Sequence, residues 1–221
     1  MRPARTTLAL ALAAACCLPA AAAGADNTFV LGTRGADTIA GRSGADVIFG
    51  QAGADAIRGG AGDDRIDGDG ACPADATGPA TCTNSAAGAG DDRIDGQAGD
   101  DLITGGAGDD VLTGGLGADE LDGDVGADRL DGGTGNDTLD GGPGDDRVLG
   151  GDGNDFVRGG DGGDRLDGGY GRDTLQGGPG ADVITTDDGD PDTISCGPGR
   201  DRVVVDTFDR VAGDCERVKR M

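Results

Sequence analysis

The chain has no histidine and no tryptophan, and only one tyrosine and four phenylalanines in 221 residues. The large side chains that dominate an ordinary buried core are therefore scarce. The three serines are Ser43, Ser85 and Ser195, and none lies in a Gly-x-Ser-x-Gly motif. The usual catalytic base, histidine, is thus missing and no serine lies in a nucleophile motif, so we expect no enzymatic activity.

Basic residues are also few, because 18 Lys and Arg face 42 Asp and Glu for a net charge of -24. Such a charge repels nucleic acid and anionic membrane surfaces, so cations are the natural partners. Low hydrophobicity with high net charge is also the signature of a disordered acidic segment. We expect that alternative to describe the metal-free state.

Long apolar runs are confined to the N terminus. Arg2 and Arg5 precede an apolar stretch over 8–18, and Ala21-Ala22-Ala23 resembles a cleavage signal. The apolar stretch is too short to span a bilayer. We therefore predict a signal peptide over residues 1–23 and a soluble, secreted, extracellular protein that uses the general secretory route.

Six cysteines are present, and four of them follow the predicted signal peptide. In an oxidising compartment sequence proximity suggests the disulfides Cys72–Cys82 and Cys196–Cys215. A zinc site is the rival interpretation, but the chain has no histidine and no Cys-x-x-Cys pair. Cys16 loosely resembles a lipoprotein processing site, but alanine stands where leucine is usual, so a released protein is favoured over a lipid-anchored one.

What the chain has in abundance is glycine, 48 residues in all, together with aspartate at a nine-residue period. A glycine stands two residues before each periodic aspartate and an aliphatic residue two residues after it. The period predicts small stacked units, none of which buries its apolar face alone. The periodic aspartates are Asp37, Asp46, Asp55, Asp64, Asp92, Asp101, Asp110, Asp119, Asp128, Asp137, Asp146, Asp155, Asp164, Asp173 and Asp182.

The period also predicts the geometry of each unit. Glycines supply the positive φ angles of a tight turn, and three residues centred on the aliphatic one form a short strand. Two nonapeptides then complete one coil, and successive coils place equivalent strands about 4.8 Å apart. The predicted fold is all-β, a parallel β-roll (β-solenoid) with two short-stranded sheets around a thin aliphatic core.

In this geometry the aspartates of stacked turns also repeat at about 4.8 Å, where like charges repel by roughly 1 to 3 kcal/mol. A divalent cation between them reverses the sign of that interaction. Carboxylates and turn carbonyls are hard oxygen donors in irregular surroundings, which favours Ca2+ over zinc, copper or magnesium. We therefore predict that the aspartates bind multiple calcium ions and that binding is coupled to folding.

The stretch Gly132-Gly133-Thr134-Gly135-Asn136-Asp137-Thr138-Leu139-Asp140 resembles the Gly-Gly-x-Gly-x-Asp-x-aliphatic-x nonapeptide of the RTX, or hemolysin-type, calcium-binding repeat family. This resemblance implies that the motif aspartate and carbonyls of its loop share a calcium ion with the loop eighteen residues on. Asp110 would then pair with Asp128.

Some copies depart from the pattern, and we expect weaker binding there. The first block should bind least well, because Thr33, Arg42 and Gln51 also replace the second glycine. At the fifth position the departures are Ala36, Ala45, Ala54, Ala118, Ala127, Gly163, Arg172 and Ala181.

Five segments follow from these patterns. They are a signal peptide over 1–23, a first repeat block over 24–67, a disulfide-tied insertion over 68–86, a main repeat block over 87–185, and a degenerate repeat with a C-terminal β cap over 186–221. The insertion is either a tolerated surface excursion or a binding loop. The tail, with Val203-Val204-Val205 and Phe208, is either a cap for the open end of the roll or an adhesive patch.

The sequence thus predicts a secreted protein that binds calcium ions and folds when they bind. The alternative function is a calcium-stiffened extracellular structural or adhesion protein that presents its insertion or tail to a surface. We expect a monomer without nucleic-acid binding or membrane insertion, and a cell-surface or glycan partner is left open.

Overall fold

The computed structural model describes residues 27–69 and 90–221 of the chain. Within these two ranges the chain forms twenty β-strands and has no helix long and apolar enough to cross a bilayer. Three predictions lie outside the described residues: the signal peptide over 1–23 with Cys16, the Cys72–Cys82 disulfide, and most of the insertion over 68–86.

The strands alternate along the chain between two ten-stranded sheets. We call the sheet of odd-numbered strands the odd sheet and the other the even sheet. Every pairing within them is parallel, which confirms the predicted parallel β-roll. The strands are β1 Phe29–Leu31, β2 Thr38–Ala40, β3 Val47–Phe49, β4 Ala56–Ala61, β5 Arg65–Asp67, β6 Arg93–Ala98, β7 Leu102–Ala107, β8 Val111–Leu116, β9 Glu120–Val125, β10 Arg129–Thr134, β11 Thr138–Pro143, β12 Arg147–Asp152, β13 Phe156–Asp161, β14 Arg165–Tyr170, β15 Thr174–Gln176, β16 Val183–Thr186, β17 Thr193–Ser195, β18 Arg202–Val205, β19 Arg210–Val211 and β20 Arg217–Arg220.

The register stacks the motif aliphatic residues into the core. Leu112 on β8 pairs with Leu130 on β10, and Leu130 pairs with Val148 on β12. The side chains between the two sheets form one continuous buried cluster that runs from Ile39 to Val205. Each fully buried aliphatic side chain contributes about 1.5–3 kcal/mol to stability. The single aliphatic position of each nonapeptide therefore supplies most of the apolar core.

The expectation of three-residue strands was wrong for the central coils, where strands such as β10 and β11 have six residues. Each of these strands continues from the aliphatic residue through the two following glycines. The reason is visible in the register, because Gly133 pairs with Gly151 one coil further on. The main chains of these glycines thus take part in the sheets. Because glycine has no side chain, no sequence pattern indicates that these residues belong to the strands.

The two repeat blocks form one stack in spite of the segment between them. Ile57 pairs with Ile94, and Ile66 pairs with Ile103, across the predicted insertion. Motif aspartates on either side are thirty-seven residues apart in sequence instead of the usual eighteen. The coils on either side of residues 70–89 are therefore stacked in one continuous register.

Both sheets continue to the C terminus through β17–β20. Val203 and Val205 are fully buried, and the Cys196–Cys215 disulfide joins the last coil to the preceding one with a Cα–Cα distance of 5.2 Å. Phe208, however, is 68% exposed, because it lies in a turn where its N–H donates to Oδ1 of Asp206. Phe208 therefore adds nothing to the end of the core, and the role of 186–221 as a cap stays a prediction.

Candidate metal sites

Two glycines of the nonapeptide motif set the turn that carries the aspartate. The second and third glycines of the motif have positive φ angles, for example 101° at Gly133 and 142° at Gly135. Residues other than glycine rarely adopt such positive φ angles. At the second position the exceptions are Gln51, Gln97 and Asp124, with φ of 85°, 83° and 65°. The turn is thus specified by glycine, and it returns the chain so that the aspartate points into the edge of the roll.

All fifteen predicted aspartates fall into two rows, one along each edge of the roll. Within a row the N–H of one aspartate donates to Oδ1 of the aspartate in the next coil. The bond from Asp110 to Asp128 is 2.8 Å long, as is the bond from Asp128 to Asp146. The first row is Asp37, Asp55, Asp92, Asp110, Asp128, Asp146, Asp164, Asp182 and Asp201, and the second is Asp46, Asp64, Asp101, Asp119, Asp137, Asp155, Asp173, Asp192 and Asp209.

The second carboxylate oxygen is in a different environment. Oδ2 is buried and accepts no hydrogen bond in thirteen of the fifteen predicted aspartates, those from Asp55 to Asp182. A buried carboxylate oxygen without a partner loses its hydration and gains nothing in return. Two unbroken rows of such oxygens are therefore the strongest chemical signal in the described part of the chain.

Electrostatics agree with this arrangement. Burial raises the pKa of Asp92 to about 8 and the pKa values of Asp101 and Asp128 to about 7. The hydrogen bond from the preceding coil lowers the pKa of Asp128, but the nearby carboxylates of Asp110 and Asp146 raise it again. The charged form of these groups is thus disfavoured unless a proton or a cation compensates it.

The first glycine of the motif leaves room around Oδ2. A methyl group built at Gly123 would lie 2.6 Å from Oδ2 of Asp128 and 2.6 Å from the carbonyl oxygen of Gly141. At Gly132 the corresponding distances to Oδ2 of Asp137 and the carbonyl oxygen of Gly150 are both 2.5 Å. A side chain there would displace the carboxylate. A carboxylate oxygen and a main-chain carbonyl of the next coil therefore face the same small space.

This donor set fits a hard cation. Calcium takes six to eight oxygen ligands at 2.3–2.6 Å and accepts irregular geometry. In residues 27–69 and 90–221 no three acidic or cysteine side chains gather to hold a metal. Main-chain carbonyls that face the same space would supply further oxygen ligands, and a donor set of oxygen atoms favours calcium over metals that need nitrogen or sulfur.

Asp37 and Asp46 differ from the other thirteen. Oδ2 of Asp37 accepts hydrogen bonds from the N–H of Thr33 at 2.6 Å and from its hydroxyl at 2.9 Å. Oδ2 of Asp46 accepts one from the N–H of Arg42 at 2.6 Å. These donors belong to the residues that replace the second glycine. Their local hydrogen bonds give a physical reason to expect weaker metal binding at the start of the first block.

The fifth motif position adds a second ladder on the outside of the turns. Oδ1 of Asp100 accepts the N–H of Ala118 at 2.8 Å, and Oδ1 of Asn136 accepts the N–H of Asn154 at 2.9 Å. An alanine at this position cannot accept such a bond. The departures at Ala118 and Ala127 therefore remove a link between neighbouring loops, and their effect on affinity stays a prediction.

Sequence reasoning placed Asp192 and Asp201 in the degenerate repeat over 186–221 but did not predict them as metal ligands. Each continues a row as an Oδ1 acceptor, and each has a buried Oδ2 without a hydrogen bond. Both stand two residues before an aliphatic residue, so the signal was present. The extra residue in the segment 187–191 shifts them out of the nine-residue period and hides it.

The fold and the turns together define a β-roll whose loops offer carboxylate and carbonyl oxygens to calcium. The chain belongs to the RTX calcium-binding nonapeptide repeat family, whose model matches more than half of it. All fifteen predicted aspartates lie within the matches, which cover residues 23–57, 43–71, 87–121, 122–157 and 158–192. No curated protein matches the chain significantly.

Proposed function

We propose that this protein is exported, that it binds several calcium ions in the turns of its roll, and that these ions fold the repeats. The observation that carries the proposal is the set of thirteen buried Oδ2 atoms that accept no hydrogen bond. In the chain without metal these carboxylates oppose folding, because their charged form is desolvated and adjacent charges repel. A divalent cation compensates both effects.

Each ion would be held by Oδ2 of a motif aspartate and by main-chain carbonyls such as that of Gly141, with the loop one coil away completing the site. The bound ion supplies positive charge between stacked turns. The ligands proposed are the thirteen aspartates from Asp55 to Asp182, with Asp192 and Asp201 added. Asp37 and Asp46 would contribute least, because their Oδ2 atoms already accept hydrogen bonds.

Export is supported by the signal-like segment over 1–23 and by the family, whose members are typically extracellular. Calcium is abundant outside cells, where modules of low affinity are used. We also propose that the protein has no enzymatic activity, since its buried carboxylates recur identically in every coil instead of forming one distinct site. A metal ladder that stiffens a rod accounts for such repetition.

Calcium titration of the mature chain, followed by far-ultraviolet circular dichroism, tests the proposal. We expect a cooperative gain of β signal by millimolar calcium and a much smaller gain with magnesium at the same ionic strength. Magnesium is the matched control, because it carries the same charge but demands octahedral geometry. A β signal that is already complete in chelator, or equal responses to both ions, would contradict the proposal.

A further inference from the structure

One row of outward-facing side chains on the even sheet is strongly basic although the chain as a whole is acidic. The position after the motif aspartate faces outward, and in register along this sheet it is occupied by arginine on six of the eight strands from β6 to β20. We call these residues the arginine column. They are Arg93, Arg129, Arg147, Arg165, Arg202 and Arg217, and all six are exposed.

The arginine column is continuous over the three adjacent strands β10, β12 and β14. Arg129 pairs in register with Arg147, and Arg147 with Arg165, on the adjacent strands β10, β12 and β14. Neighbouring strands lie about 4.8 Å apart, so the column from β6 to β20 is roughly 34 Å long. Val111 and Val183 interrupt the column, and both stand at the same register position as the arginines.

These arginines have no acidic partner within the described part of the chain. The one ion pair within 4.0 Å there joins Arg158 to Asp140 on the odd sheet. Like charges at the spacing of neighbouring strands repel each other. The column therefore holds positive charge that an external anion would compensate.

The opposite face has no such column. On the odd sheet the equivalent outward position carries Leu102, Glu120, Thr138, Phe156 and Thr174 in successive coils. Arginine takes this position on the odd sheet only at Arg65 and Arg210, so the arginines are concentrated on the even sheet. At the C-terminal end of the column a shallow pocket is lined by Arg202, Arg217, Val218 and Lys219, which extends the basic surface to the last strand.

We propose that the even sheet binds an anionic polysaccharide that lies along the arginine column. This inference rests on the proposed function, because calcium in the turns would neutralise the acidic edges beside the column. Guanidinium groups bind carboxylates and sulfates through paired hydrogen bonds, and regular spacing suits a polymer with a charge on each repeat.

The width of the column selects this class of partner. Asp95, Asp131 and Asp167 stand beside it on the same face, so only a narrow single chain avoids them. A double helix or a flat anionic bilayer would meet these carboxylates. Tyr170 at the end of β14 is the single aromatic residue of the even-numbered strands, so successive bases of a single-stranded nucleic acid would find no row of aromatic side chains for stacking.

The test uses the full mature protein in saturating calcium, with binding to dextran sulfate measured by calorimetry and neutral dextran as the ligand control. The variant replaces three column residues, R129Q, R147Q and R165Q, together. The matched control replaces three exposed arginines of the odd sheet, R65Q, R158Q and R210Q, and changes the net charge equally. Circular dichroism of all three proteins in calcium checks that each is folded.

We expect the wild type to bind dextran sulfate and not dextran. The column variant should lose roughly tenfold or more in affinity, and its log K against log salt slope should fall by about 2 to 3, as expected when three charge contacts are lost. The odd-sheet variant should bind like the wild type.

Absence of binding by a protein that shows its normal calcium transition would overturn this inference and leave the proposed function intact. Equal losses in both variants, or tighter binding to duplex DNA or to anionic phospholipid vesicles, would also overturn it. A missing calcium transition would instead contradict the proposed function.

Discussion

At the level of single residues, the two oxygens of each motif aspartate have separate roles. Oδ1 joins one coil to the next by accepting a main-chain N–H, whereas Oδ2 faces the first glycine and a carbonyl of the next coil. One aspartate therefore links two coils and also presents a ligand. The first coils show the alternative, in which Thr33 and Arg42 donate hydrogen bonds to Oδ2.

Replacing Asp128 by asparagine separates these roles, because asparagine keeps the Oδ1 acceptor and removes the buried charge. We expect the calcium midpoint of the dichroism transition to rise roughly three- to tenfold, since the charge of the ligands sets calcium affinity. Stability in chelator should stay the same or increase. Asp37→Asn is the matched control and should leave the midpoint almost unchanged. Equal shifts in both variants would show that Oδ2 of Asp128 has no special part in binding.

The first glycine of the motif can be tested in the same way. Gly123→Ala should destabilise the calcium-loaded roll by roughly 2 kcal/mol or more, because the methyl group overlaps Oδ2 of Asp128 and the carbonyl of Gly141. Gly163→Ala is the control, since the nearest atom to its methyl group would be 3.4 Å away. Urea unfolding in saturating calcium measures both. Equal effects at the two positions would contradict the proposed crowding around Oδ2.

At the level of strands and coils, the unit of the fold is a coil of two nonapeptides. The nine-residue period sufficed to predict the two sheets and the buried aliphatic rows, whereas the pairing of Asp110 with Asp128 was implied by the family resemblance. It did not reveal the six-residue strands, because the pairing of glycine main chains leaves no side-chain pattern. Asp192 and Asp201 were not predicted as ligands because one extra residue takes them out of the nine-residue period.

Other features of the site could not be predicted from the sequence, because they depend on backbone positions. The hydrogen bonds to Oδ2 of Asp37 and Asp46 depend on where the N–H groups of Thr33 and Arg42 point, which residue types alone do not specify. The arginine column, in contrast, is present in the sequence, since Arg129, Arg147 and Arg165 are each eighteen residues apart. That these arginines lie together on one face of the roll can be recognised only when the sheet to which each strand belongs is known.

The segment between Asp69 and Gly90, which separates the two repeat blocks in sequence, should be dispensable for folding. Deleting residues 70–88 joins Asp69 to Ala89 and creates an ordinary nonapeptide turn, with aspartate at the second-glycine position as at Asp124. We expect the calcium midpoint and melting temperature to stay close to those of the full chain, because β4 and β6 already pair across the segment.

Deleting residues 70–89 is the matched control for that experiment. It shortens the turn by one residue and should weaken the β signal, since a change of one residue in register turns the side chains of a strand to the opposite face. If the first deletion abolished the calcium transition, the insertion would have to contribute to the roll itself.

For the whole molecule, the buried carboxylates predict a dependence on pH that calcium removes. The folded-state pKa values lie above the ordinary 3.8, at about 6 for Asp110 and about 8 for Asp92, with burial as the largest cause. The folded chain without metal therefore binds more protons than the unfolded chain. Its stabilising contribution is present below pH 4 and is lost as the pH rises through about 6 to 8.

We accordingly expect the β signal in chelator to fall between pH 5 and 8, while in saturating calcium it stays constant at the upper end of this range. Calcium binding near pH 6 should release protons, which calorimetry detects in buffers of different ionisation enthalpy. Light scattering controls for aggregation near the isoelectric point of about 4.1. A β signal in chelator that increased with pH would contradict the direction of these pKa shifts.

Calcium ions bound to Oδ2 of the motif aspartates are thus expected to hold the coils of the roll together. Small-angle X-ray scattering of the mature protein at neutral pH, in millimolar calcium and in excess chelator, measures this effect on the whole chain. We expect a rigid, compact rod in calcium and an expanded chain in chelator. Identical scattering curves from a folded rod in both solutions would contradict it.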